Sequence, residues 1–361
     1  MPRTRIALCY GTRPQVIKAS VLRRRLDAGH DVLAMDTGQH YDYELNALLY
    51  EQLGVRAPDA ILEVGSGGHA DQTAAVLVRA EKALQEFRPR AVVVIGDTNS
   101  TLGCALAAAK LRMPVVHVEA GLRADDALMP EEINRRVVDA IAHVLCTPSA
   151  RATRRCQAER HDAAVVETGD VAYDVLRAHA DRLPAPPVPA GANRAFCFAT
   201  VHRAELTDRP DVLRGVLQAL ASLDRPVLLA LHPRTRAALQ AAGIEPRFGK
   251  GLTVVPPVGY LESLALARSA EMVFTDSGGL QREAYWLGTP CVTLRRETEW
   301  QETIDEGANI TIDPAGGAAE LQRAVTAHRH RWSDGARWSR SAYGEGDAAD
   351  RIVASLEPLV R

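Results

Sequence analysis

"AEMVFTDSGGLQREAYWLGTP", Ala270 to Pro290, changes character in its middle. "EMVF" is an apolar run suited to a buried strand, and "LQREAYWLG" can continue as a helix. Between them, Ser277-Gly278-Gly279 is a poor strand and a poor helix interior, because adjacent glycines cost backbone entropy in either. It is a good turn from one to the other. A strand that feeds a helix through a short glycine turn is the unit of a parallel α/β sheet.

The same unit recurs along the chain. Strand candidates in the first half are "RIALCYGT", "DVLAMDTG", "AVVVIGDT", "PVVHVEAG", "HVLCTPS" and "AVVETGD". In the second half they are "AFCFATVHR", "PVLLALHP", "LTVVPPV", "EMVFTDSGG", "PCVTLR" and "NITID". Helical stretches such as "NSTLGCALAAAKL" and "YLESLALARSA" lie between them. Several strand runs are apolar throughout, as burial on both faces requires. "RLPAPPVPAGANR", 182–194, holds four prolines and a glycine and reads as a stiff linker. The expectation is an α/β protein of two doubly wound domains facing a cleft, one over 1–181 and one over 195–345. A C-terminal helix at 346–361 is expected to join the first.

Composition narrows the function classes. The 361 residues are 47% hydrophobic and 24% charged, ordinary for a globular protein with about two domains. Lys plus Arg is 43 against 45 Asp plus Glu, a net charge of -2. No basic surplus points to nucleic acid or an anionic membrane as partner. The six cysteines are scattered, with no Cys-x-x-Cys pair, so neither a disulfide framework nor a zinc site is expected. No run approaches the ~20 apolar residues of a membrane span, and the N-terminal apolar run is too short for a signal peptide. A reducing cytoplasm is the expected compartment.

In doubly wound sheets ligands bind outside the carboxyl ends of the strands. Polar clusters follow nearly every strand here: "GTRP", "TGQH", "GDTNS", "EAGLR", "TVHR", "HPRT" and "TDSGG". At "TDSGG", backbone N–H groups at a helix start can hold a phosphate, Ser277 can donate a hydroxyl, and Glu283 lies where it could accept from a ribose. Read alone, the turn serves equally well as a Ser/Asp cap with glycines for close packing. "GTRPQVIK" repeats the theme, with Arg13 and Lys18 placed to meet an anion. Two such turns, one per half, suit a diphosphate. Asp97, Glu119 and Glu131 come from separate segments that could converge as an acid–base set. Asp97 before "TNST" also fits a simple helix cap, whereas Glu119 before "AGLR" does not. His202 and His232 follow strands, each beside an arginine, which favours phosphate contact. No metal-ligand spacing, Gly-x-Ser-x-Gly turn or Gly-x-Gly-x-x-Gly fingerprint is present.

In this order, "GTRPQVIK", "TGQH", "GDTNSTL", "HVEAGLR", "PEEINR", "TVHR", "HP", "VGYL" and "DSGGLQREA" resemble the non-hydrolysing UDP-N-acetylglucosamine 2-epimerases, from residue 11 to about 305. The resemblance implies two Rossmann-like domains in the GT-B arrangement, a homodimer, and chemistry without nicotinamide or metal cofactor. It implies interconversion of UDP-GlcNAc and UDP-ManNAc by elimination of UDP to 2-acetamidoglucal and its re-addition. Carried over by position, it makes Asp97, Glu119 and Glu131 the acids and His202 a histidine near the diphosphate. Arg13 and Lys18 become anion contacts, with His232 also on the substrate. Ser277, Gly278 and Gly279 become the diphosphate turn, Glu283 the ribose carboxylate, and Val258 the uracil contact.

Two positions depart from the family pattern. "TEWQE" places Trp300 where a "TERPE"-like stretch has arginine, with Arg295 or Arg296 as possible substitutes. "TGQHY" places Tyr41 where "TGQHR" is usual, which puts activation by a second substrate molecule in question. "GDTNST", "MPEEINR" and "RRETEWQE" also resemble a subgroup acting on UDP-2,3-diacetamido-2,3-dideoxy-glucuronic acid. From another class, a GT-B glycosyltransferase would share the fold and the turn but would not need three acids.

Overall fold

The computed structural model describes residues 3–39, 49–124, 126–186, 188, 195–246, 248–332, 335 and 337–360. The chain divides into two compact units, 1–178 with 341–361, and 179–340. Most of the linker stretch, residues 187 and 189–194, lies outside the described residues, as does Tyr41.

The first unit carries seven strands: β1 (Arg5–Tyr10), β2 (Asp31–Asp36), β3 (Ala60–Ile61), β4 (Ala91–Ile95), β5 (Val115–Val118), β6 (Val144–Thr147) and β7 (Ala164–Glu167). Their order in the sheet is β3-β2-β1-β4-β5-β6-β7. Every pairing is parallel, with Ile6 opposite Val32 on one side and Ala91 on the other. Only the two-residue β3 was not legible in the sequence, being too short to show a period. β4, "AVVVI", is buried along its whole length, as a strand covered on both faces must be.

The second unit repeats the plan with β8 (Cys197–Val201), β9 (Val227–Leu231), β10 (Leu252–Val255), β11 (Met272–Thr275), β12 (Cys291–Thr293) and β13 (Asn309–Thr311). The order is β10-β9-β8-β11-β12-β13, again all parallel. Each sheet is a Rossmann-like doubly wound sheet whose strand order reverses once, at β1/β4 in the first and at β8/β11 in the second. Crevices at such points are where this architecture binds ligands. Apolar side chains on both faces of each sheet make the cores.

The chain returns to the first unit at Ser341, where the sequence placed the return at 346. The reason is packing. Tyr343 is fully buried, its carbonyl accepts from Asp170 N at 2.9 Å, and a Cβ on Gly169 would stand 2.8 Å from that oxygen. The helix Ala348–Ser355 is then capped by Asp174, whose carboxylate accepts from Ala348 N at 3.1 Å and Ala349 N at 2.7 Å. All six cysteines are buried free thiols. Among the described residues no helix is long and apolar enough to cross a membrane.

Candidate active site

At the first switch point, Gly11 leaves β1 in a turn with no room for a side chain. A Cβ there would lie 1.9 Å from Thr37 Oγ1 and 2.3 Å from Ser100 Oγ. Thr12 then caps the helix Arg13–Gly29, with Pro14 in its first turn. Gln15 ties this turn to the next loop. Its Oε1 accepts from Gly11 N and Thr12 N, and its Nε2 donates to the Ile95 carbonyl, Thr98 Oγ1 and Thr101 Oγ1. The loops after β1 and β4 are thus one hydrogen-bonded body.

Lys18, one turn further along that helix, forms a buried ion pair with Glu119 Oε2. Their side chains are 8% and 6% exposed. Glu119 itself has φ +70°, the left-handed region that costs a side-chain-bearing residue about 1–3 kcal/mol. Such strain persists only where the surroundings impose it, and it clusters at functional sites.

Asp97 follows β4. The helix Asn99–Lys110 is capped by Thr98 and not by Asp97, so the capping explanation of this acid fails. Asp97 Oδ2 instead accepts from Arg135 Nε at 2.9 Å and Nη2 at 2.5 Å. Arg135 lies on the helix Pro130–Ile141, whose start at Pro130 the sequence placed correctly. Glu131, in its first turn, is exposed; Glu132 beside it is fully buried. Glu132 Oε2 accepts from Ala124 N at 2.9 Å and Arg135 Nη1 at 3.3 Å, and Oε1 from Arg136 Nε at 2.8 Å. It braces the loop behind Glu119 and the arginine that holds Asp97.

The same helix reaches β5 through Asp139. Its Oδ1 lies 2.6 Å from His117 Nδ1, and its Oδ2 accepts from Gly121 N at 3.1 Å and Arg123 Nη1 at 2.7 Å. Burial pushes the Asp139 carboxyl up, but the neighbouring His117 and Arg123 outweigh it and hold it below the usual carboxylate range. His117 Nε2 lies 2.8 Å from the Gly96 carbonyl.

At the second switch point, Asp276 is fully buried after β11. Its Oδ2 accepts from His202 N and Arg203 N, each at 2.7 Å, and Oδ1 lies 3.2 Å from His202 Nδ1. Desolvation lowers the His202 pKa despite that carboxylate, and Arg203 and Arg234 push the same way. The His202 and His232 rings lie 5.1 Å apart. His232 also caps the helix Pro233–Ala241, its Nδ1 accepting from Arg234 N at 3.2 Å.

Ser277 caps the helix Gly278–Leu287, accepting from Leu280 N at 3.3 Å. Capping leaves the turn's outward backbone groups able to meet an anion. A Cβ on Gly278 would stand 3.0 Å from Glu299 Oε1, 3.2 Å from Trp300 Nε1 and 3.6 Å from Arg203 Nη2, while one on Gly279 would meet only Ser277 Oγ. Glu283 is buried in that helix, and Val258 is half-buried against the core around Phe196 and Phe198.

At position 300 the indole lies under the Arg282 guanidinium, 3.7 Å from carbon to ring centroid. Arg295 is buried between Glu205 (3.3 Å) and Glu299 (3.1 Å), and Arg296 pairs with Asp313 at 2.8 Å. The cation next to Trp300 is therefore Arg282, a residue the sequence reading passed over.

The structure joins Lys18 to Glu119, ties the Asp97 and Glu119 loops through His117, and joins His202 to the turn at Ser277 through Asp276. Arg13 opens its helix half-buried, and Glu131 stands exposed in the first turn of its own helix. Sequence reasoning missed Gln15, Arg135, Asp139 and Asp276 as site-building residues. Asp276 stood inside the deciding stretch, but its two-pronged acceptor role needs β8 beside β11, which no local pattern shows.

The family model described as UDP-N-acetylglucosamine 2-epimerase matches residues 24–357. A UDP-2,3-diacetamido-2,3-dideoxy-D-glucuronate 2-epimerase of Pseudomonas aeruginosa is 38% identical over 98% of this chain and 100% of its own. A UDP-N-acetylglucosamine 2-epimerase of Methanocaldococcus jannaschii is 34% identical over 98% of both. The crystal structure of M. jannaschii UDP-GlcNAc 2-epimerase in complex with UDP-GlcNAc and UDP superposes with TM-score 0.82 at 33% identity, covering 98% of this chain and 99% of that one. A calicheamicin glycosyltransferase matches at TM-score 0.58 and 15% identity, a likeness of fold alone. Matches of this length and identity, on both units and both switch points, place the chain in the UDP-N-acetylglucosamine 2-epimerase family, to which it belongs.

Proposed function

We propose that the protein epimerises C2 of a UDP-linked 2-acetamido sugar, interconverting UDP-GlcNAc and UDP-ManNAc. The C2 hydrogen adjoins no carbonyl, so direct removal to a carbanion is not feasible. One carboxylate takes the C2 proton as the C1–O bond breaks and UDP leaves, giving 2-acetamidoglucal. UDP then adds back to C1 while an acid protonates C2 on the other face. Asp97, Glu119 and Glu131 are assigned to these proton transfers. His202, the turn Ser277–Gly279, Arg13, Lys18 and His232 are assigned to the diphosphate, Glu283 to the ribose and Val258 to the uracil. Arg282, the cation stacked on Trp300, joins the groups assigned to the diphosphate.

The observation that carries this reading is Glu119. It is a buried carboxylate in a left-handed backbone, paired with Lys18 and locked to the loop of a second acid at a switch point. Strain of that kind at a buried acid fits a functional site. The P. aeruginosa relative supports a second substrate, UDP-2,3-diacetamido-2,3-dideoxy-glucuronic acid, by the same chemistry. The reading also includes a homodimer acting in the cytoplasm; the buried free thiols are compatible with a reducing compartment.

Incubation with each UDP-sugar in D2O, followed by NMR at C2, tests it. Deuterium at C2 in intact UDP-sugar is the expected result, and the sugar that exchanges selects the substrate. Release of UDP with free sugar, or no exchange with either, sinks the proposal.

A further inference from the structure

The helix Pro130–Ile141 presents a buried carboxylate that touches the chain on both sides of Glu119. Through Oδ1 Asp139 meets His117, two residues before Glu119; through Oδ2 it accepts from Gly121 N, two residues after. Gly121 has φ +81°, and a Cβ there would stand 2.6 Å from the Ala152 carbonyl, so the loop cannot relax in that direction. Glu119, at φ +70°, is the strained residue between the two grips.

His117 extends the chain to the other acid. Its Nε2 faces the Gly96 carbonyl, which can only accept, so that nitrogen carries a hydrogen. Its Nδ1 faces Asp139 Oδ1, while the other oxygen of that carboxylate accepts from Gly121 and Arg123. The ring is thus buried between a carboxylate and a backbone carbonyl. Gly96, φ +69°, precedes Asp97, and a Cβ on it would lie 3.3 Å from Glu119 Oε2. Such a buried hydrogen-bonded chain is an expensive element, because breaking one member leaves another without its partner. Its geometry defines the backbone of the Glu119 turn and the separation of that turn from the Asp97 loop.

We propose that Asp139 and His117 are positioning residues that hold Glu119 in its left-handed conformation beside the Asp97 loop, and so set the placement of the carboxylate that acts at C2. The inference rests on the catalytic reading of Glu119. Neither residue touches substrate; both act through Glu119.

The test compares Asp139→Ala, Asp139→Asn, Glu119→Gln and the double variant Glu119→Gln/Asp139→Ala. In Asp139→Ala, kcat for C2 exchange is expected to fall about 100-fold, the cost of roughly an ångström of misplacement, with UDP Kd little changed. Asp139→Asn keeps the shape, accepting from Gly121 and Arg123 and offering an N–H to Nδ1 of the ring, and is expected to regain about tenfold or more of that loss. The double variant is expected to be no slower than Glu119→Gln, because the lost group acts only through Glu119. Wild-type exchange in Asp139→Ala, no rescue by Asp139→Asn, or losses that multiply in the double variant overturn the inference. If Asp139→Ala does not fold, His117→Gln carries the test. It keeps the Gly96 contact and drops the Asp139 one, and a wild-type kcat there overturns the inference equally. A Glu119→Gln protein that exchanges like wild type sinks the catalytic reading and this inference with it. An inert Glu119→Gln beside a wild-type Asp139→Ala sinks this inference alone.

Discussion

Asp97 and Glu119 both end strands, yet their surroundings give them different tasks. Asp97 puts one oxygen on Arg135 and stays part-exposed, whereas Glu119 is sealed against Lys18. Asp97→Asn is expected to lower C2 exchange by about 10²–10⁴-fold, with UDP binding by calorimetry nearly unchanged; near-normal exchange would remove it from the chemistry. Glu119→Gln leaves Lys18 as a buried charge without its partner, and should cost about 3–5 kcal/mol of stability by denaturant melt as well as activity. His328 gives a pH dependence away from the chemistry. It is buried with Nε2 on the Cys291 carbonyl at 2.7 Å. Desolvation outweighs that hydrogen bond and, with Arg331, lowers its pKa from 6.5 to about 4. Between those values the unfolded chain binds a proton that the folded one does not. The contribution is therefore full above about pH 6.5 and is lost as pH falls towards 4, about 2 kcal/mol between pH 7 and pH 5. His328→Gln, which keeps the donor, should flatten that slope in urea melts at the two pH values.

The turn from β11 into the helix Gly278–Leu287 acts as a unit with the loop after β8. Asp276 supplies the acceptor for two backbone N–H groups there, so Asp276→Ala should cost about 1–3 kcal/mol for each N–H left unpaired and loosen His202. Gly278→Ala is a sharper probe. Its methyl meets the flexible end of Glu299 and the edge of Trp300, so melting should change little. UDP affinity should fall about tenfold, the worth of one charge-assisted hydrogen bond, because a phosphate could no longer reach the backbone. Unchanged affinity in isothermal titration would show that the diphosphate does not use this turn.

Two Rossmann-like units with one strand order between them give the molecule two switch points, and each gathers a different chemistry. Acids and their braces collect in the first; histidines, a glycine turn and arginines collect in the second. If UDP binds through the second unit, its presence at a hundredfold excess over Kd should stabilise the protein by about 2.7 kcal/mol. Thermal melting followed by calorimetry checks this, and a melt that UDP does not move would contradict the assignment.

Local pattern in the amino-acid sequence determined the strand and helix succession, the parallel sheets and the strand-end clusters, because period, apolar runs and glycine turns are short-range signals. It also placed Asp97, Glu119, His202 and Ser277 in loops after strands. It could not reach β3, the return at Ser341, or the partners that give those residues their properties. Lys18 and Glu119 are 101 residues apart in sequence, and His202 and Asp276 are 74. Only the tertiary structure decided that Glu119 is left-handed, that Asp97 rests on Arg135 instead of capping a helix, and that Arg282 stacks on Trp300. Each depends on strands distant in sequence lying side by side. A burial cost or an ion pair exists only once that pairing has formed.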